Sequence, residues 1–140
     1  MEETFYVDAN IFLLGALEAG ELGEKAGNFL QLAIDKKWKI YTSALTFDEF
    51  AYKVLKSKNK EDAVKAITSF FSIPNLTILD ANKTTTWLAF NLIKQYSLDP
   101  RDAIHAASAM QSRIRAFVSE DKDFDKVKEL KRMNLKGVKS

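Results

Sequence analysis

The stretch FYVDANIF, residues 5–12, decides the fold. It opens with a short, apolar, β-prone run, Phe5-Tyr6-Val7, which predicts a buried strand that ends at Asp8. The apolar spacing that follows predicts a helix that extends to Leu17. A short apolar strand that leads directly into a helix is typical of α/β proteins with a parallel sheet.

The same alternation continues along the chain. Further strands are predicted at 39–41, 76–79 and 116–118, and further helices at 24–37, from Thr42 or Ser43 to about 56, at 60–72, 82–96, 100–113 and 124–130. Asp99 as N-cap and Pro100 at the first helical position mark one helix start clearly. The pattern predicts one α/β domain, 1–140, with a mostly parallel sheet covered by helices on both faces.

The composition narrows the chemistry that this chain can perform. It has no cysteine, which excludes disulfides, thiolate zinc sites and a cysteine nucleophile. Its single histidine argues against a His-rich metal site or a Ser-His-Asp triad, and its net charge of +2 is too small to indicate nucleic-acid binding by bulk charge. Hydrolytic chemistry would therefore depend on carboxylates.

The sequence also bears on location. It contains no run of 18 apolar residues, so no membrane-spanning segment is predicted. Glu2 and Glu3 stand where a secretory signal would carry bases, and we therefore expect a cytoplasmic protein.

Five acids occupy positions suited to a shared site. Asp8 ends the first strand, Glu49 lies in a helix among mainly apolar neighbours, Asp102 opens a helix rich in alanine, and Asp121 and Asp123 follow the strand at 116–118. Ligands in open α/β sheets bind outside the carboxyl ends of the strands, which is where two of these segments lie.

Each acid taken alone has a structural alternative. Asp8 could cap the first helix, and Asp102 lies where an acid favours the helix dipole by a few tenths to about 1 kcal/mol. Glu49 could face solvent, and Asp121, Asp123 and Asp125 could cap the last helix.

Taken in order, these segments resemble the PIN domain, a nuclease family that includes the VapC toxins of toxin–antitoxin pairs. The resemblance extends from about residue 5 to 125, through YVDANIF at 6–12, SALTFDE at 43–49, DPRDAIHAA at 99–107 and FVSEDKDF at 117–124. It implies a three-layer α/β/α fold and a divalent-metal-dependent ribonuclease.

Carried over residue by residue, the resemblance implies that Asp8, Glu49, Asp102 and Asp121 are the catalytic, metal-binding acids. Asp123 would add a ligand directly or through water, and Asn10 and Ser119 would line the pocket. Mg²⁺ or Mn²⁺ fits these oxygen ligands, whether as one ion or two. An RNA substrate, a small antitoxin with a basic side chain in the pocket, and a homodimer are also implied. Glu120 departs from the family pattern, and its extra carboxylate would weaken the approach of RNA.

Other residues have weaker signals. Arg101, Lys53, Lys122 and Lys126 flank the predicted pocket in sequence and could bind RNA phosphates. His105 is predicted to pack or form hydrogen bonds rather than act as a ligand or base. The core is expected to include Trp38, Trp87 and the phenylalanines, and the helices near 24–36 and 43–56 have apolar faces that could pair two copies.

Two alternative functions remain. One is a catalytically weak or inactive module of the same fold that binds RNA or a protein partner. The other is a receiver-type phosphoacceptor domain, which needs paired acids at the end of the first strand. Glu2 and Glu3 precede that strand, which argues against the second alternative.

Overall fold

A computed structural model describes residues 3–137. Residues 1, 2 and 138–140 of the predicted 1–140 domain, Glu2 among them, lie outside the described residues. The strands are β1 (Thr4–Val7), β2 (Lys39–Ser43), β3 (Leu76–Leu79), β4 (Ala116–Val118) and β5 (Lys131–Met133). The helices are α1 (Ala9–Leu17), α2 (Glu21–Asp35), α3 (Ala44–Ser57), α4 (Lys60–Phe71), α5 (Lys83–Tyr96) and α6 (Pro100–Gln111), with a 3₁₀ turn at Lys122–Lys126.

The five strands form one sheet in the order β3-β2-β1-β4-β5, and every pairing is parallel. β1 lies at the centre, where Tyr6 pairs with Tyr41 on one side and with Phe117 on the other. From β1 the chain goes first to β2 and later to β4 on the opposite side. The carboxyl end of β1 is therefore the switch point of the sheet, the usual position of a ligand site in this architecture.

Alternating residues of β1 pack on opposite faces of the sheet, as the pleat requires. Phe5 and Val7 join an apolar cluster with residues of α1 to α4, whereas Tyr6 joins Phe117 in a second cluster with α5 and α6. Helices thus cover both faces, and the predicted three-layer α/β/α fold is confirmed.

Helix α6 has the predicted start. The Asp99 side chain accepts a hydrogen bond from the backbone N–H of Asp102, and Pro100 occupies the first helical position. The helix buries Ala103, Ala106 and the other alanines of its inner face. These short side chains allow α6 to lie close to the sheet, which brings its first turn to the edge where β1 and β4 end.

The prediction of a helix at 124–130 is wrong. The chain forms a 3₁₀ turn over Lys122–Lys126, in which the Asp121 side chain accepts the N–H of Asp123, and then the edge strand β5. Arg132 of β5 forms an ion pair with Asp125, with Nε 2.8 Å from Oδ1. The pairing of β5 with β4 is a long-range contact, and neither it nor this ion pair is encoded by helical or strand spacing.

The core prediction is correct for Trp38, which is 6% exposed, and wrong for Trp87, which is 65% exposed. Phe47, Phe71 and Phe90 are also exposed. Each helix that covers the sheet has one side towards the sheet and one towards solvent. Helical spacing alone does not say on which side a given apolar residue lies. Conversely, α2 buries Ala26, Phe29 and Ala33 within this chain, so that part of its apolar face is not available for pairing two copies.

Helix α2 begins at Glu21, before the predicted start at residue 24, and therefore contains Gly23. A Cβ at this position would collide with the carbonyl oxygen of Glu18 in the preceding turn. The glycine therefore serves a close approach between α1 and α2 and does not end the helix. Within residues 3–137, no helix is long and apolar enough to cross a membrane.

Candidate active site

A cleft of about 330 Å³ opens at the carboxyl edge of the sheet. Its walls include the four acids for which the resemblance implies a catalytic role, Asp8, Glu49, Asp102 and Asp121. They come from four separate places in the chain: the end of β1, the second turn of α3, the first turn of α6 and the loop after β4. The fold therefore brings together carboxylates that lie as far as 113 positions apart.

Asp8 is held by hydrogen bonds on both oxygens. Its Oδ1 accepts the backbone N–H of Ala9 at 2.8 Å, so Asp8 also caps α1, and its Oδ2 accepts the Ser119 hydroxyl at 2.7 Å. Ser119 Oγ accepts the Asp121 backbone N–H at 3.0 Å and the Asn10 side-chain amide at 3.3 Å. Ser119 thus links the ends of β1 and β4.

Asn10 supplies a further oxygen. Its Nδ2 donates to Ser119, whereas its Oδ1 is buried and has no hydrogen-bond partner among residues 3–137. Buried polar atoms without a partner are rare in folded proteins and call for a ligand, ion or water. Asn10 lines the cleft beside Asp8, so this buried oxygen is a candidate ligand atom for a cation bound there.

Three carboxylates lie close enough to share one cation. Asp102, Asp121 and Asp123 each offer an oxygen within 4.8 Å of the other two. Asp8 is not part of this group, although its charge acts on Asp102. A set of carboxylate oxygens suits a hard divalent cation such as Mg²⁺ or Mn²⁺, and no nearby thiolate would favour a softer one.

The cleft concentrates negative charge. Burial and the negative charges of Asp121, Asp99 and Asp8 raise the pKa of Asp102 to about 7, an effect that His105 partly offsets. Burial also raises the pKa of Asp8, against the lowering effects of His105 and of the Ser119 hydrogen bond. Ionising Asp8 and Asp102 in this setting is costly, and a bound cation would lower that cost by offsetting their negative charges.

His105 is buried behind the acids that line the cleft, in contact with Glu49 and near Asp8, an arrangement that sequence spacing did not reveal. Its Nε2 lies 2.6 Å from Glu49 Oε1 and 3.6 Å from Asp8 Oδ1, and its Nδ1 lies 2.7 Å from the Tyr6 hydroxyl. Burial alone would lower the pKa of His105, but the hydrogen bond to Glu49 and the charges of Asp8, Glu49 and Asp102 raise it. The one feature of the sequence that could have indicated this contact is the position of His105 one helical turn after Asp102.

The four basic residues predicted to bind RNA divide into two pairs. Lys53 and Arg101 line the cleft. Lys122 and Lys126 are exposed on the 3₁₀ turn outside its lining, and Lys126 Nζ lies 3.9 Å from Asp123 Oδ1. Only the first pair belongs to the lining of the cleft itself.

Glu120 does not line the cleft. Its Oε2 accepts the backbone N–H of Leu135 at 2.7 Å, and Arg132 Nη1 donates to the carbonyl oxygen of Ser119 at 3.0 Å. Both contacts fasten the loop after β4 to the C-terminal segment. The expectation that Glu120 opposes RNA receives no support from this geometry, because its carboxylate is engaged away from the acids.

Comparison with known proteins adds an independent observation. The family model described as "PIN domain" matches residues 5–130. No curated protein matches the chain.

Solved structures share the fold at low sequence identity. FitAB bound to an IR36 DNA fragment matches with a TM-score of 0.75 and 17% identity, over 97% of this chain and 98% of that one. VapBC2 from Rickettsia felis, bound to a DNA fragment from its promoter, matches with a TM-score of 0.73 and 23% identity, over 94% of this chain and 98% of that one. VapC20 from Mycobacterium tuberculosis, a Sarcin-Ricin loop cleaving toxin, matches with a TM-score of 0.71 and 15% identity, over 86% of this chain and 92% of that one.

Proposed function

The chain belongs to the PIN domain family, and from this premise we propose that it is a Mg²⁺- or Mn²⁺-dependent endoribonuclease. It would cleave RNA phosphodiester bonds by attack of water. The observation that carries the proposal is the convergence of Asp8, Glu49, Asp102 and Asp121 on one cleft at the switch point of the sheet.

A first cation would be held by Asp102, Asp121 and Asp123, whose carboxylate oxygens lie within 4.8 Å of one another. Asp8 and Glu49, which line the same cleft, would contribute further oxygens, and Asn10 Oδ1, which has no hydrogen-bond partner within residues 3–137, would add a neutral one. When bound, a divalent cation supplies Lewis acidity that polarises the phosphate and lowers the pKa of a water molecule. A cation bound here would also offset the burial and mutual repulsion that raise the pKa values of Asp102 and Asp8.

The protein's own groups would do the rest of the work. Ser119 and the Ala9 amide hold Asp8 in one orientation, so its carboxylate does not have to be ordered when substrate binds. Lys53 and Arg101 would bind phosphates on either side of the scissile bond and offset the repulsion between RNA and the acids.

Cleavage assays with a structured RNA test the proposal. We expect cleavage with Mg²⁺ or Mn²⁺, none with EDTA, and a loss of at least about 100-fold in Asp8→Asn or Asp121→Asn, since each change removes a charge from the centre of the site. Asp35→Asn is the matched control, because Asp35 is an exposed acid at the end of α2. Cleavage that survives EDTA or Asp8→Asn would contradict the proposed site.

The same assay tests the alternative of an inactive module. That alternative requires RNA binding, or metal binding, without turnover on any structured or single-stranded RNA. The intact acids favour catalysis over this alternative.

The biological role that we propose is that of a toxin controlled by an antitoxin. The solved structures with this fold include VapBC toxin–antitoxin proteins bound to DNA. A small partner with a basic side chain would be attracted to the acidic cleft and block it. Co-expression of a short open reading frame next to the gene, followed by co-purification, tests this role.

We also propose a homodimer. The face of α3 predicted to pair two copies leaves Phe47 exposed, with its ring 5.7 Å from that of Phe71 on α4. Helix α5 exposes a second aromatic pair, Trp87 and Phe90, whose rings also lie 5.7 Å apart. An aromatic patch of this kind is typical of an interaction surface. Light scattering should show a dimer that Phe47→Glu or Trp87→Glu converts to a monomer, whereas Leu22→Glu on α2 should leave the dimer intact. A monomeric unmodified protein, or a dimer that survives both aromatic variants, would contradict the proposal.

A further inference from the structure

We propose that His105 is a positioning residue, clamped between Tyr6 and Glu49, and that this clamp sets the affinity of the site for its divalent cation. The inference rests on the proposed function insofar as Glu49 is a member of the cation site. It concerns the His105 ring and its two partners, for which the resemblance implies no role.

The clamp is short and buried. His105 is 1% exposed and Tyr6 is fully buried, and the ring lies between a hydroxyl at 2.7 Å and a carboxylate at 2.6 Å. Tyr6 has few other orientations available, because its ring stacks on Phe117 with centroids 4.9 Å apart. The phenol therefore acts as a fixed support for the imidazole.

The direction of both hydrogen bonds follows from the donor inventory. A carboxylate only accepts, so Nε2 must carry the proton that Glu49 Oε1 accepts. In the neutral ring Nδ1 is then an acceptor, which receives the Tyr6 O–H; in the charged ring Nδ1–H donates to the Tyr6 oxygen. Either state presents Nε2–H to Glu49. Burial, together with the negative charge of Asp8, raises the pKa of Tyr6 well above its ordinary value, so the phenol keeps its proton.

The clamp joins elements that each supply an acid. Tyr6 stands two residues before Asp8 on β1, and His105 stands three residues after Asp102 on α6. Glu49 belongs to α3, which approaches the site from the other side of the sheet. Groups that orient metal ligands from behind commonly change metal affinity by about 10–100-fold when removed. His105 fills that position for Glu49, and its distance of 3.6 Å from Asp8 places the same nitrogen between two of the acids.

NMR tests the geometry directly, because the chain has one histidine and hence one imidazole signal. In the ¹⁵N-labelled full chain without a histidine tag, Nε2 should be protonated and its proton should exchange slowly with water. Tyr6→Phe should shift the Nδ1 resonance and Glu49→Gln the Nε2 resonance. Tyr96→Phe is the control, since it removes a comparable hydroxyl bond, to Glu129 at 2.7 Å, at the end of α5 and outside the cleft lining. An unprotonated Nε2, or resonances that neither variant shifts, would overturn the clamp.

Titration with Mn²⁺ alone, followed by electron paramagnetic resonance, tests the consequence. We expect Tyr6→Phe and His105→Leu to weaken Mn²⁺ binding by about 10–100-fold. His105→Gln should recover part of the loss, because its amide N–H can still donate to Glu49, and Tyr96→Phe should bind like the unmodified protein. If His105→Leu fails to fold, Tyr6→Phe decides the question, because it keeps the ring that packs on Phe117.

A double variant distinguishes loss of the orientation of Glu49 from a general destabilisation of the fold. Tyr6→Phe should cost no further affinity when Glu49 is already Gln, since the clamp then has no carboxylate to orient. Equal losses in both backgrounds, or unchanged affinity in Tyr6→Phe, would overturn the inference. None of these measurements uses RNA, so a failure to cleave RNA would count against the proposed function alone.

Discussion

The Ser119 hydroxyl donates a 2.7 Å hydrogen bond to Oδ2 of Asp8, a residue 111 positions earlier in the chain. Both residues are buried, and the bond crosses between β1 and β4 at the point where the two strands end. It fixes one wall of the cleft by a contact between side chains that no local sequence pattern connects.

This bond gives a prediction about stability. Ser119→Ala leaves Asp8 Oδ2 without its donor and the Asp121 N–H without its acceptor. A buried polar group that loses its partner costs about 1–3 kcal/mol, so we expect urea unfolding to show a loss of that size. Ser72→Ala, which removes an exposed hydroxyl bond at the end of α4, should cost less than about 0.5 kcal/mol. Equal losses of unfolding free energy in the two variants would show that the hydrogen bonds through which Ser119 links β1 and β4 do not stabilise the fold.

Divalent metal should stabilise the protein. A ligand that binds only the folded state at one hundred times its Kd contributes about 2.7 kcal/mol, which for a chain of this length raises Tm by roughly 5–10 °C. The gain should disappear in Asp102→Asn and Asp121→Asn and persist in Asp35→Asn. Differential scanning calorimetry with Mg²⁺ and with EDTA measures it, and an unchanged Tm at millimolar metal would contradict a preformed site.

The pKa of Asp102 predicts a pH dependence of the metal-free protein. Burial and the surrounding acids raise that pKa to about 7, whereas the unfolded chain titrates near the ordinary value of about 4. Between these values the folded state binds more protons than the unfolded state, so the contribution of Asp102 to stability is present at low pH and is lost as pH rises towards 7.

The measurement compares metal-free Asp102→Asn with the unmodified protein by urea unfolding at pH 5 and pH 8. The variant cannot ionise at this position, so its stability relative to the unmodified protein should be higher at pH 8 than at pH 5. Asp35→Asn should show no such trend. The same difference at both pH values would show that Asp102 titrates normally.

RNA affinity should depend on the basic residues of the cleft. Lys53→Ala and Arg101→Ala should each weaken binding to a single-stranded RNA and reduce the slope of log K against log salt by about 0.7, one phosphate contact. Lys36→Ala, at the end of α2 and the opposite edge of the sheet, should change neither quantity. Fluorescence anisotropy in EDTA measures binding without cleavage, and losses as large in Lys36→Ala would show nonspecific attraction only.

The order of elements was predictable because local signals encode it. Apolar runs marked β1 to β4, and the Asp99-Pro100 pair marked the start of α6. β5 was missed because its three residues carry no apolar run and depend on pairing with β4. Trp87 was assigned to the core because helical spacing identifies an apolar residue without saying what covers it.

The sequence by itself determined that short apolar strands alternate with helices, and that acids follow the strands where a parallel sheet places its ligands. This much follows from periodicity and capping, which act within a few residues. Only the tertiary structure decided that Asp123 and not Asp8 groups with Asp102 and Asp121, that Glu120 turns away, and that His105 lies between Tyr6 and Glu49. Those outcomes depend on burial and on hydrogen bonds between distant segments, whose strength exists only once packing has removed water from around them.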